Sequence, residues 1–254
     1  MKLLLDMGNS RLKWALQAQP SAWLASGAVD WREADVPAQL ASAWASLPLP
    51  DDVVAASVVD SVREAEVADV VERVFARSPY WLRTPASAAG VCNAYVEPQR
   101  LGVDRFLAMV AALHDGLAPC VIAGAGTALT LDALAADGQH LGGLIAPGPL
   151  LMQQSLLTAT ARVRPERPGD IVELADNTAD AVASGCWLAA AASIDRFVAR
   201  MASRFDRPAA LILGGGDAAR LAPLLSSPAR LSEDSVLRGL AVWANAHRAA
   251  ASPD

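Results

Sequence analysis

Apolar positions in this chain alternate between a strand rhythm and a helix rhythm. Leu3-Leu4-Leu5 is a short apolar run that breaks at Asp6 and Gly8 and resumes as a second strand carrying Lys13 and Trp14, a strand, turn, strand pattern. Trp23 to Val29 predicts a third strand, a helix follows around Pro37 to Leu47, and Val53 to Val59 returns to a strand. Ser61 with Glu64 three residues later reads as a capping box that opens a helix running to about Arg77, and Tyr80 to Arg83 is a further strand. After Gly102, the residues Phe106, Leu107, Val110, Ala111 and Leu113 continue one apolar helical face. An Asp-Gly pair and a proline between Asp115 and Pro119 then interrupt the pattern.

Beyond that interruption the scheme repeats. Cys120 to Asp132 is again an apolar strand, a glycine turn at Gly124-Ala125-Gly126-Thr127 and a hydroxyl-bearing strand; His140 to Ile145 follows the Asp137-Gly138 turn as a third strand. A helix follows Pro147-Gly148, a long one spans roughly Asp176 to Arg204, and Ala209 to Leu213 is a buried strand running into Gly214-Gly215-Gly216-Asp217. The last helix covers about Ser235 to Ala250. Alternating strands and helices predict an α/β protein built twice, with halves at 1–117 and 118–254. Duplicated halves that each begin with a three-stranded meander are the arrangement expected of the actin-like (ribonuclease H-like) superfamily, with mixed sheets flanked by helices.

Composition narrows the classes without choosing a function. The 254 residues are 53% hydrophobic and 19% charged, enough to bury a sizeable core. A net charge of −6 with no basic run argues against a general affinity for nucleic acid or anionic membrane. Cys92, Cys120 and Cys186 are odd in number and far apart; they read as small core residues in a reducing compartment, and the cytoplasm is the expectation. His114, His140 and His247 share no ligand-like spacing. The alanine-rich stretch from Ala179 reads as a buried helix and not as a membrane span.

Candidate chemistry gathers at the glycine turns and at helix starts. In the first hairpin Asp6 ends a strand where it can hold a hydrated cation, Gly8 lets the backbone approach a phosphate, and Asn9, Ser10 and Lys13 supply donors; an ordinary surface turn explains the same residues. Gly102-Val103-Asp104-Arg105 stands at a helix start, where amides and the macrodipole favour anions. Asp104 there can accept a hydroxyl proton and Arg105 can hold an anionic substrate group, or the two can be a first-turn cap and a surface pair. Asn177-Thr178 presents an amide and a hydroxyl at the start of the long helix, again open to capping or to ligand binding. The glycine run at Gly214 is neither a dinucleotide fingerprint nor a Walker loop.

In their order these segments resemble the type III pantothenate kinases of bacterial coenzyme A synthesis over nearly the whole chain. The resemblance rests on Asp6-Met7-Gly8-Asn9-Ser10-Arg11-Leu12-Lys13-Trp14, Tyr95 followed by Gly102-Val103-Asp104-Arg105, Gly126-Thr127 through Asp132, Gly142 to Gly148, Asn177-Thr178 with Gly185, and Gly214 to Asp217. It implies ATP-dependent phosphorylation of the primary hydroxyl of pantothenate to 4'-phosphopantothenate. By the same carry-over, Asp104 is the proton acceptor, Asp6 to Lys13 and Thr127 bind ATP, and Tyr95, Gly102, Val103, Asp104, Arg105 and Thr178 bind pantothenate. Asp6 would meet Mg²⁺ through phosphate or water, and the family's usual state is a homodimer.

One position departs from the family pattern. Where members carry an aspartate two residues before the Gly-Thr of the second hairpin, to help bind a monovalent cation such as potassium or ammonium, this chain has Gly124. A weakened cation site is therefore expected. The departure also keeps a second class in view, a non-catalytic nucleotide-binding accessory protein of the same fold.

Overall fold

Strand β1 (Lys2–Met7) is buried on both faces, and the alternation of its side chains decides what packs on each. The computed structural model describes residues 1–19 and 22–250. The turn at Gly8 folds β2 (Arg11–Gln19) back antiparallel and β3 (Ala22–Asp30) extends the meander. On the other side β4 (Asp52–Ser57) and β5 (Tyr80–Leu82) add in parallel, for a five-stranded order β3-β2-β1-β4-β5. Parallel neighbours need crossovers, and α1 (Val36–Trp44) and α2 (Ser61–Phe75) lie in those connections. Leu3, Leu5 and Met7 face these helices in a core with Trp14, Trp44, Val67 and Phe75. Leu4 points the other way, into a second core with Ala15, Val54, Leu107 of α3 (Val103–His114) and Leu237, Leu240 and Trp243 of α7 (Ser235–Ala250). A two-stranded ribbon, β6 (Ser87–Ala88) and β7 (Val91–Cys92), precedes α3.

The second sheet has the same order with the same strand directions. β8 (Cys120–Ala125), β9 (Ala128–Leu134) and β10 (His140–Pro147) form the meander, and β11 (Ala210–Gly214) and β12 (Ala229–Ser232) add in parallel. The helices are α4 (Pro149–Ala159), α5 (Thr178–Met201) and the short α6 (Ala218–Leu221). Val121, Ala123, Leu211 and Leu213 pack on Trp187, Ala190 and Ile194 of α5. By length and composition α5 could cross a bilayer, yet half of its apolar span is buried inside the protein, as in a core helix. Two mixed sheets with matching order make this a duplicated α/β fold of the actin-like type.

Contacts divide the chain into residues 1–116 together with the segment from Asp234, and Leu117–Glu233. The last helix, which the sequence pattern groups with the second half, thus packs in the first unit. Lys2 explains part of this: its ammonium donates to the Ala244 carbonyl at 2.7 Å and to Asn245 Oδ1 at 2.8 Å.

Four local expectations change. Asp60, not Ser61, caps α2: its Oδ1 accepts from the amides of Val62 and Arg63 at 3.1 and 3.0 Å. Glu64, expected to complete the capping box, instead pairs with Arg83 through two bonds of 2.9 and 2.7 Å. The helix stops at Phe75, short of Arg77, because Ala76 turns left-handed. Cys120 and Cys186 are buried, and desolvation pushes the Cys120 thiol up to about 12, but Cys92 is exposed on β7 and is no core residue.

Candidate active site

Register places Asp6 directly opposite Lys13 across the first hairpin. Asp6 shares the face of Leu4, the side covered by α3 and α7, so whatever begins those two helices stands near it. Asp104 is the second residue of α3 and Asp234 immediately precedes α7. The electrostatics record the grouping. Burial above all, with the charges of Asp104 and Asp234 adding and Lys13 opposing, brings the Asp6 carboxyl up to about 7. Lys13 Nζ donates to Asp234 Oδ1 at 3.1 Å.

The first turn is tightly held and open at its tip. Gly8 N donates to the Arg11 carbonyl at 3.1 Å, and the Trp31 indole donates to the Gly8 carbonyl at 2.7 Å. Asn9, Ser10 and Arg11 are exposed. Met7 and Leu12 are fully buried in the core, so any ligand there meets only their backbone.

At the start of α3, Gly102 makes room for a carboxylate. Asp104 Oδ1 accepts from the Arg105 amide at 2.8 Å, and a β-carbon on residue 102 would lie 2.5 Å from that same oxygen. Arg105 is buried to 6% exposure, and its Nη1 donates to the Tyr95 hydroxyl at 3.2 Å. Two residues absent from the sequence reading fix this corner. Asn93 Oδ1 accepts from the Tyr95 amide at 3.0 Å while its Nδ2 donates to the Pro98 carbonyl at 3.1 Å. The buried Thr84 hydroxyl donates to the Leu101 carbonyl at 2.7 Å, just before Gly102. Asp234 was also missed, since 221 positions separate it from Lys13 and no periodicity links them.

In the second unit three glycine segments meet at the end of β8. Gly148 N donates to the Thr127 carbonyl at 2.9 Å, and a β-carbon on Gly148 would stand 1.9 Å from the Gly126 carbonyl oxygen. Gly215 has φ +95°, and a β-carbon there would lie 2.1 Å from the Ala125 carbonyl oxygen, which accepts from Asp217 N at 3.1 Å. The Gly214 run is thus a close strand-to-helix turn against β8. Thr127 is exposed at the tip. Asn177 caps α5 by accepting from Asp180 N at 3.1 Å, leaving Thr178 exposed as the first helical residue. Asp180 is held near 2 by bonds from Asn177, the Asp170 amide and Arg167.

Gly124 sits between Thr130 on β9 and Gly214 on β11, and a β-carbon on it would lie 2.6 Å from Thr130 Oγ1. A threonine hydroxyl occupies the space an acidic side chain would enter, so these residues do not fit a carboxylate-held monovalent cation. Among the described residues no three of His, Cys, Asp and Glu converge as a metal site.

Comparison with known proteins now bears on this geometry. The family model for type III pantothenate kinase matches residues 2–200. The type III pantothenate kinase of Laribacter hongkongensis is 42% identical over 246 residues, covering 95% of this chain and 97% of the relative. That of Chromobacterium violaceum is 41% identical over 247 residues, covering 96% and 100%. A propionate kinase structure from Francisella tularensis aligns with a TM-score of 0.51 at 12% identity, covering 96% of this chain and 99% of that one, which bears on the fold alone.

Proposed function

The chain belongs to the type III pantothenate kinase family and catalyses the ATP-dependent phosphorylation of pantothenate that begins coenzyme A biosynthesis; we propose that the charged groups gathered in its first unit carry the reaction. The observation that supports this is the grouping of Asp6, Lys13 and Asp104: Lys13 stands opposite Asp6 across the hairpin, and both Asp104 and Lys13 act electrostatically on the Asp6 carboxyl, one raising and one lowering its pKa.

Phosphoryl transfer asks for alignment and charge neutralisation more than for a strong base. Asp104 orients the pantothenate hydroxyl and takes its proton late in the transfer. The segment Asp6 to Lys13 lines the ATP phosphates, with the exposed tip at Asn9, Ser10 and Arg11 and the Lys13 ammonium as donors. Asp6 fits a divalent cation arriving with the nucleotide, because burial and neighbouring carboxylates disfavour its charge and a cation reverses both effects. Such an ion, when bound, offsets negative charge on the phosphates. Arg105 and Tyr95 hold the anionic end of pantothenate, with Gly102 and Val103 lining the same corner through backbone. For the second unit, Thr127 as a nucleotide contact and Thr178 as a pantothenate contact rest on the family pattern.

A homodimer is proposed as well. The family's usual state supports it, and the outer strand β10 and helix α4 expose apolar side chains, Leu144, Ile145, Leu150 and Leu156, that a second copy would cover. The cytoplasm is the proposed compartment, in keeping with the buried thiols of Cys120 and Cys186.

The test is ADP release with and without pantothenate, for the parent and for Asp104→Asn. Pantothenate should stimulate the parent, and the substitution should lower kcat by about 10² or more. Turnover of Asp104→Asn within a few-fold of the parent removes Asp104 from its role, and no pantothenate stimulation of the parent favours an accessory protein.

A further inference from the structure

The ion pair between Lys13 and Asp234 joins a residue of the phosphate hairpin to the residue that opens the C-terminal helix. We infer that Asp234 is a positioning residue for Lys13, holding its ammonium toward the phosphates that the hairpin binds; this rests on the reading of Asp6 to Lys13 as the ATP phosphate segment.

A lysine carries its charge on a flexible four-carbon stem, and ordering that stem costs entropy at the moment a phosphate is bound. A carboxylate fixed at 3.1 Å removes part of that freedom in advance. The fixing must come from the helix that carries Asp234, and α7 is anchored at several points. Lys2, on the same strand and face as Asp6, donates to Ala244 O and Asn245 Oδ1. A β-carbon on Gly239 would stand 1.9 Å from the Leu107 carbonyl oxygen, so the backbones of α7 and α3 meet there without an intervening side chain. Arg238 donates to Asp115, just past the end of α3. The helix that begins at Asp234 is therefore held to the sheet that carries Lys13 and to the helix that carries Asp104. Lys13 is 29% exposed and Asp234 43%, so their pairing adds little to stability and its use lies elsewhere.

Asparagine caps a helix as well as aspartate does, so Asp234→Asn keeps the start of α7 and removes only the charge. In steady-state assays of the full-length enzyme, Asp234→Asn should lower kcat/KM for ATP about tenfold, with KM for pantothenate and the thermal midpoint little changed. Asp234→Glu should recover part of the loss. In a Lys13→Gln background the same Asp234→Asn change should have almost no further effect, since its partner is gone. A full tenfold loss persisting in that background, an increase in ATP affinity in Asp234→Asn, or unchanged kinetics in that variant overturns the inference. If Lys13→Gln itself leaves ATP kinetics intact, the phosphate-segment reading fails instead.

Discussion

Residue 102 and Asp104 compete for one volume: a β-carbon on Gly102 would lie 2.5 Å from Asp104 Oδ1, well inside contact distance. The glycine is therefore explained by sterics at the helix start, because the carboxylate folds back onto the Arg105 amide through the space the missing side chain leaves. Gly102→Ala should turn Asp104 aside and lower kcat by about 10², the loss expected of a displacement near one ångström, with KM for ATP little changed. Parent-like turnover in steady-state assays would show that Asp104 tolerates a different rotamer.

The Asp6 carboxyl predicts how the ligand-free protein responds to pH. Its folded pKa of about 7 lies above the ordinary 3.8, mainly through burial, with Asp104 and Asp234 adding and Lys13 opposing. Below about 4 both folded and unfolded chains keep this proton and the group contributes nothing to the difference. As pH rises toward 7 the unfolded chain loses the proton first, so this group makes the folded state progressively less stable, and above 7 the penalty is constant. Thermal unfolding of the ligand-free protein from pH 5 to 8 should show a decline that Asp6→Asn removes. An identical slope in the variant assigns the decline to other groups.

For the monovalent cation, Gly124 and Thr130 make a linked prediction. The chain should turn over at similar rates in potassium, ammonium and a bulky inert cation, since no carboxylate projects from position 124 and the Thr130 hydroxyl fills the place. Gly124→Asp alone must push Thr130 aside; combined with Thr130→Ala it should gain a potassium dependence that neither single change confers. A steep potassium requirement in the parent would contradict this reading.

Much of the fold is legible along the chain because its signals are local. Leu3-Leu4-Leu5 before Asp6 and Gly8, and Cys120 to Ala123 before the second glycine turn, announce paired strands through apolar runs and turn residues, and both three-stranded meanders appear where those signals stand. Errors fall where two nearby residues compete for one job. Asp60 and Ser61 are both good caps; Asp60 takes the extended backbone of a cap and accepts the Val62 and Arg63 amides, while Glu64 pairs with Arg83, 19 positions away. Cys92 reads as a core residue by type, yet on the two-residue strand β7 it is Val91 that is buried, and Cys92, on the opposite face, is exposed.

The sequence by itself determined both three-stranded meanders, the main helices and the repeat that relates the halves, because apolar periodicity and turn residues are local signals that recur in each half; the short strands β6, β7 and β12 carry too little pattern to be read this way. Only the tertiary structure decided that α7 belongs with the first sheet, that Asp234 meets Lys13, that Asn93 and Thr84 brace the Tyr95 and Gly102 corner, and that Thr130 fills the space beside Gly124. The reason is physical: periodicity reports which face of an element is apolar, while the partner of a side chain depends on which elements that face is packed against, and that is settled by the whole chain at once.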